Sequence, residues 1–169
     1  MNPAVAHWFD VWGRRSTPVL TTLALVLLSL VPFSIPGLPM VAPAGPLIAV
    51  FYWSVYRPDL LPAVAVFAIG IVQDVLTGSP LGVTSLVYLF VYGAALSQRR
   101  ALLGKPFVLA WLVLLVIGIG AGALAWLFNS ALLVQLVPPR PLLFQTVATI
   151  ALFPCFAWAL VRVHRYVVH

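Results

Sequence analysis

Asp74 is the side chain whose type and setting most favour a chemical role. It is the only charged residue between Asp59 and Arg99, in otherwise apolar sequence. A carboxylate placed in hydrocarbon costs about 2.5 kcal/mol or more, so it faces water or the protein interior and marks a functional site by default. The structural alternative is that it accepts hydrogen bonds from amides that open the next helix, near Ser79 and Gly82. We favour this structural role over ligand or partner binding.

A polar stripe follows Asp74 along the chain. Ser85, Tyr88 and Tyr92 recur at steps of three and four residues, which places them on one helix face, and Arg99 continues that face. Hydroxyl groups within a membrane commonly bond to neighbouring helices, so the pattern predicts interhelical hydrogen bonds. A polar cavity is the alternative.

Small residues mark a second helix face. Gly118 and Gly122 form a small-xxx-small pattern, which lets another helix approach closely. Asn129 adds one polar group further along, and for it we predict a hydrogen bond to a loop.

Residue patterns for catalysis or metal binding are missing. The sequence contains no Glu, and His7, His164 and His169 lie near the termini without metal-ligand spacing to Cys155. No Ser–His–carboxylate arrangement can be proposed from the sequence. We therefore expect no catalytic residue, no metal and no cofactor.

The chain is far more apolar than a soluble domain. Hydrophobic residues make up 63% and charged residues 7% of its 169 residues, whereas about a quarter of a typical soluble domain is charged. Its nine Lys and Arg are scattered between apolar segments and form no groove-sized patch, so we expect no nucleic-acid binding. The long uncharged stretches indicate a polytopic membrane protein in contact with the lipid bilayer.

A secretory signal peptide is the alternative interpretation of the first apolar run. Arg14 and Arg15 precede this run, and Ala42-Pro43-Ala44 imitates a cleavage site. The separation of about 27 residues and the proline within the site argue against cleavage. We expect a transmembrane helix instead.

The apolar stretches predict an all-α fold, with one transmembrane domain over residues 1–169. Its six approximate spans are 18–33, 41–56, 60–77, 80–97, 107–133 and 141–163. We expect Ser16–Pro18, Asp59 and Ser79–Pro80 to begin the first, third and fourth helices, because hydroxyl and carboxylate side chains cap helices and proline fits the first turn.

Aromatic residues and one proline add detail to two of the spans. Tyr52, Trp53 and Tyr56 are expected to mark the interfacial end of the second span. Pro154 should kink the sixth span or leave one carbonyl for a neighbouring group to satisfy.

The basic residues predict the orientation. With the N-terminus in the cytoplasm and six spans, the outside holds only Arg140. The eight basic residues on the cytoplasmic side are Arg14, Arg15, Arg57, Arg99, Arg100, Lys105, Arg162 and Arg165. A five-span count spoils this partition, so the positive-inside rule predicts a multi-pass protein with both termini in the cytoplasm.

One segment between the third and fourth spans resembles a known family. It reads G-x-x-x-D-x-x-x-G-x-P-x-G, and its fixed positions are Gly70, Asp74, Gly78, Pro80 and Gly82. This pattern looks like that of the rod shape-determining protein MreD family. A further similarity is the upstream set of Pro46, Tyr52-Trp53 and Pro58.

The resemblance implies a non-catalytic component of the bacterial inner membrane. Members of that family bind MreC, a single-span scaffold, and join it to MreB filaments and to the peptidoglycan synthase pair of RodA and a class B penicillin-binding protein. The fold implied is similar to the S-components of energy-coupling-factor transporters. The expected function is therefore to help the elongasome organise peptidoglycan synthesis and rod shape.

Short outer connections leave a partner little to bind except helix faces and turns. We expect the membrane helix of MreC to pack on the face of Gly118 and Gly122, and its following segment to meet the turn from Asp74 to Gly82.

The main rival is a small-molecule-binding subunit of a transporter, which predicts a polar cavity near Asp74, whereas a scaffold predicts a plugged or partner-filled region. An intramembrane enzyme or lipid-handling protein is the third class and requires clustered polar groups across the bundle.

Overall fold

The computed structural model describes residues 3–30, 44–133 and 140–167, and side chains over residues 16–30, 44–133 and 140–163. The described residues form six α-helices and no strand, which confirms the all-α class. The helices are α1 (Pro3–Ser29), α2 (Gly45–Tyr56), α3 (Ala63–Thr77), α4 (Val83–Leu102), α5 (Phe107–Leu132) and α6 (Arg140–Val167).

Within the described residues, two helical segments are long and apolar enough to cross a membrane. They are Phe107–Leu132 and Arg140–Val163, whereas Ser16–Ser29, Gly45–Tyr56 and Ala63–Thr77 are apolar but shorter. Both long segments expose large apolar side chains on their outer surfaces, as contact with lipid requires. Six complete spans and the S-component-like bundle therefore stay predictions.

Helix α2 forms the centre of the protein. It packs against α1, α4 and α6, and every residue from Gly45 to Val55 is buried. A helix that is apolar on all sides is stable only when it is surrounded. At about 1.5 Å per residue, α2 is only about 18 Å long, shorter than the hydrocarbon core of about 30 Å. The central helix thus reaches across only part of the bundle.

The aromatic residues of α2 correct one prediction. Tyr52 and Trp53 are buried in the core, and only Tyr56 is exposed, so an interfacial position for the first two is wrong. The Trp53 Nε1–H donates to Thr21 Oγ1 at 3.1 Å, which satisfies the polar atom of the indole inside the protein. Burial of this tryptophan joins α2 to α1.

Two predicted helix starts are also wrong. Helix α1 begins at Pro3 and continues through Pro18, so Ser16–Pro18 is not its first turn. Helix α3 begins after Pro62, not at Asp59, because Leu61 precedes a proline and is therefore disfavoured in helical conformation. The Asp59 carboxylate instead lies 3.9 Å from the Arg57 guanidinium in the turn before α3. Residues 41–43 of the second predicted span lie outside the described residues.

Pro154 lies inside α6, and a neighbouring helix compensates for its missing N–H. A residue at position 154 of a regular helix would donate to the carbonyl of Ile150. The Trp111 Nε1–H of α5 donates to the Ile150 carbonyl at 3.0 Å. The carbonyl is therefore satisfied between helices, which is one of the two outcomes expected at this proline.

A double-mutant cycle tests this pairing. Trp111→Phe removes the donor and should lower stability by about 0.5–1.5 kcal/mol. In the Pro154→Ala background the restored N–H at position 154 donates to Ile150, so the same substitution should cost clearly less. Thermal unfolding of the four purified proteins in detergent gives both costs. Equal costs in the two backgrounds would contradict the pairing.

Candidate functional site

The turn between α3 and α4 is built by backbone geometry around Asp74. Gly78 has a φ of 67°, and its N–H donates to the Asp74 carbonyl, as does the N–H of Ser79 at 3.1 Å. Gly82 has a φ of 95° and directly precedes α4. Glycine adopts positive φ without the steric cost that a Cβ atom brings, so the two glycines of the motif set where one helix ends and the next begins.

The side chain of Asp74 closes the same turn from inside. Its carboxylate is fully buried, with Oδ2 accepting from the Gly82 N–H at 2.8 Å and Oδ1 from the Thr84 N–H at 3.2 Å. The first amides of a helix have no partner within the helix and carry a partial positive charge. Asp74 thus caps α4 although it belongs to α3. We call the segment from Asp74 to Thr84 the α3–α4 corner.

This cap explains why α4 does not begin at Ser79–Pro80. The Ser79 hydroxyl lies 3.0 Å from the Thr77 hydroxyl and makes no bond to the first turn of α4. Asp74 supplies the capping oxygen instead, and it reaches the amides beyond Pro80. The predicted start of the fourth helix is therefore three residues too early.

Gly70 allows α3 and α4 to touch. A Cβ atom at Gly70 would lie 2.4 Å from Ser85 Cα, which is backbone and cannot turn aside. Ser85 Oγ donates to the Phe67 carbonyl at 3.0 Å, and the Tyr88 hydroxyl donates to Gln73 Oε1. Two members of the polar stripe therefore bond α4 to α3.

The other two residues on this face, Tyr92 and Arg99, do not bond to α3. Tyr92 is half-buried against the core and makes no hydrogen bond to a described residue. Arg99 Nε donates to the Val55 carbonyl at 2.9 Å, next to the end of α2. The face of α4 that carries the stripe is thus an internal contact surface along its whole length.

A cavity of about 220 Å³, partly open to the surface, adjoins the corner. It lies between the first residues of α2, the corner, α5 and the first half of α6, and none of its lining side chains is charged. Its polar lining residues are Gln73, Thr77, Ser79, Thr84, Tyr88, Asn129, Gln145, Thr146 and Thr149. The region near Asp74, where the scaffold and transporter hypotheses differ, is therefore neither fully packed nor apolar.

The small-residue face of α5 turns toward this cavity and toward α6. A Cβ atom at Gly122 would lie 2.7 Å from Thr146 Oγ1, and one at Gly118 would lie 3.8 Å from Ile150. Since α6 covers this face, the expectation that the MreC helix packs there is wrong. Asn129 also differs from its prediction, because its Nδ2 donates to the Ala125 carbonyl of the same helix at 2.7 Å.

Sequence reasoning missed the contribution of α6 to the cavity. Gln145, Thr146 and Thr149 recur at helical spacing, and the Thr149 hydroxyl accepts from the Ala44 N–H at 2.9 Å. The same periodicity test that found the stripe on α4 would have found this second one. Over the residues whose side chains are described, no three His, Cys, Asp or Glu lie close enough to hold a metal ion.

Because Asp74 caps α4, even the conservative substitution Asp74→Asn should lower the stability of the protein clearly. In Asp74→Asn one acceptor oxygen becomes an NH₂ group that faces a buried N–H, so stability should fall by about 1–3 kcal/mol. Thermal unfolding in detergent should then show a melting temperature lower by several degrees. The control is Asp59→Asn, which should change stability by less than about 0.5 kcal/mol because that carboxylate is exposed. Equal melting temperatures for the two variants would contradict the cap.

Close contact at Gly70 gives a second prediction. Gly70→Ala forces a methyl group against the backbone of α4, which should cost about 1–3 kcal/mol in the same assay. Gly93→Ala is the matched control, since a Cβ atom at Gly93 has no heavy atom within 4 Å. This control should keep or raise the melting temperature because alanine favours a helix. A Gly70→Ala protein as stable as the control would show that the helices are further apart.

Comparison with known families identifies the chain. A family model described as rod shape-determining protein MreD matches residues 13–163, a range that includes the whole corner and all the cavity residues. Comparison with curated proteins gave no match, and comparison with solved structures gave none either. The chain belongs to the MreD family of rod shape-determining membrane proteins.

Proposed function

We propose that this protein is a non-catalytic inner-membrane component of the elongasome that binds MreC. Through MreC it helps to connect MreB filaments with RodA and a class B penicillin-binding protein, and so to organise peptidoglycan synthesis. Membership of the MreD family over residues 13–163 is the observation that carries the proposal.

The arrangement of basic residues supports the proposed orientation. Arg57 follows α2, Arg99 contacts the end of α2, and Lys105 lies between α4 and α5. All three belong to the end of the helices opposite the α3–α4 corner. Since basic residues are retained on the cytoplasmic side, the corner would face the periplasm, where most of MreC resides.

The corner is the part of the surface best suited to MreC. Its turn, Gly78–Gly82, is short, so a periplasmic partner must contact the adjoining helix surface. Val75 and Leu81 are exposed there on a backbone that Asp74 holds in place. Such a rigid apolar surface loses little entropy when a membrane helix packs against it.

Paired tryptophan substitutions on α3 test this contact. Val64 and Val75 lie three turns apart on one face of α3, and they are 79% and 64% exposed, respectively. A bulky apolar side chain is tolerated by lipid near a membrane interface but displaces a packed partner. We expect Val75→Trp to reduce co-purification of MreC at least tenfold and to widen the cells, whereas Val64→Trp leaves both unchanged.

Both variant proteins should keep the melting temperature of the unchanged protein, because neither side chain is buried. Normal MreC recovery and normal cell width with Val75→Trp would exclude the corner as the contact surface. Loss of MreC with both variants would place the contact along the whole face of α3.

One observation favours the alternative function, a small-molecule-binding subunit of an S-component-like transporter. The cavity beside Asp74 is the feature that this alternative predicts, although at about 220 Å³ it is smaller than the usual range of about 300–1,000 Å³ for ligand pockets. A transporter subunit would retain a vitamin-sized compound on purification and support its uptake into proteoliposomes. A scaffold would not support such uptake and would recover MreC.

A further inference from the structure

Two amide side chains at the cavity wall have polar atoms without a partner among the described residues. Gln73 Oε1 accepts from the Tyr88 hydroxyl, while its Nε2 makes no bond to any described residue. Asn129 donates through Nδ2 to Ala125, so its Oδ1 is left as an acceptor with no described partner. The Gln73 amide also keeps the second lone pair of Oε1. The wall therefore offers both donors and acceptors.

The rest of the wall is uncharged and combines hydroxyl and apolar side chains. Leu47, Val87, Leu114 and Ile150 belong to its apolar part. The carboxylate of Asp74 is fully buried, bonded to two backbone amides and not among the lining residues, so a charged ligand would find no ion-pair partner on the wall. Burying an unpaired ion here would cost far more than burying a neutral group. A charged ligand is therefore disfavoured.

The size of the cavity limits the ligand further. An engineered apolar cavity of about 150 Å³ binds benzene and stays dry, whereas polar cavities need occupants that form hydrogen bonds. A volume of about 220 Å³ accommodates one ring with a polar substituent. A primary amide is a small neutral group that donates and accepts through separate atoms, so it matches the Gln73 amide, whose Nε2 has no described partner.

We propose that this cavity is a binding site for a small, uncharged molecule that carries an amide or a similar donor–acceptor group on an apolar body. Such a ligand would contact α3, α4, α5 and α6 at once, because residues of all four helices line the space. It would strengthen the contact between the pair α3 and α4 and the pair α5 and α6. This property goes beyond binding MreC and does not depend on it.

Four probes of nearly equal shape test the proposal on the full-length protein in detergent. Benzamide carries the neutral amide, benzoate and benzamidinium carry a negative and a positive charge, and toluene lacks polar atoms. Binding is measured by NMR saturation transfer and by the shift in melting temperature. We expect benzamide to bind at least tenfold more tightly than each of the other three.

Three variants assign that binding to the cavity. Gln73→Leu should weaken benzamide binding about two- to tenfold, as expected for one lost hydrogen bond. Gly118→Val should abolish binding by filling space, and a Cβ atom there meets only ordinary contacts. Thermal unfolding of this variant without a probe checks that it is folded. Gln98→Leu, at an exposed position of α4, is the control and should bind as the unchanged protein does.

Two results would overturn the proposal. The first is no benzamide binding by the unchanged protein, which would make the cavity a water site. The second is equal binding of benzamide by the unchanged protein and by Gly118→Val, which would assign the signal to detergent or to the lipid-facing surface. Neither result bears on MreC recovery, so the failure of this proposal is distinguishable from the failure of the proposed function.

Discussion

The hydrogen bonds from Gly82 and Thr84 to the Asp74 carboxylate hold the structure of this protein at one end. They pair a buried carboxylate with two amides at the start of a helix. Each of these groups would cost several kcal/mol of stability, roughly, if it were buried in a membrane without a hydrogen bond. The contact fixes the start of α4 relative to α3. The close approach at Gly70 and the bonds of Ser85 and Tyr88 then follow on the same pair of helices.

The short length of the central helix α2 explains why a polar cavity lies at the same end of the protein. Helix α2 is buried from Gly45 to Val55, and residues of α3, α4, α5 and α6 line a cavity next to its first turn. Hydroxyl and amide side chains form part of the cavity wall. One end of the protein thus combines a rigid turn with a polar space. This combination suits a membrane scaffold whose contacts depend on fixed helix surfaces.

The sequence predicted the helices better than their boundaries. Long apolar stretches predicted six helices because each stretch depends on many residues, and the bounds of α5 agree closely with the span 107–133. Asp59 and Ser79 were placed at helix starts by local capping rules, whereas the actual starts depend on Pro62 and on the distant Asp74. A polar cavity near Asp74 was one of two alternatives, and the sequence could not decide between them, since the outcome depends on how four helices meet and on the length of a fifth.

Backbone hydrogen exchange tests the central claim most directly. The amide protons of Gly82 and Thr84 lie at the start of a helix, where amides normally exchange fast because they have no helical partner. If the Asp74 carboxylate binds them, their exchange measured by NMR in detergent should be as slow as that of amides in the middle of α4. Exchange at the rate of solvent-exposed turn amides would show that the carboxylate does not close the corner.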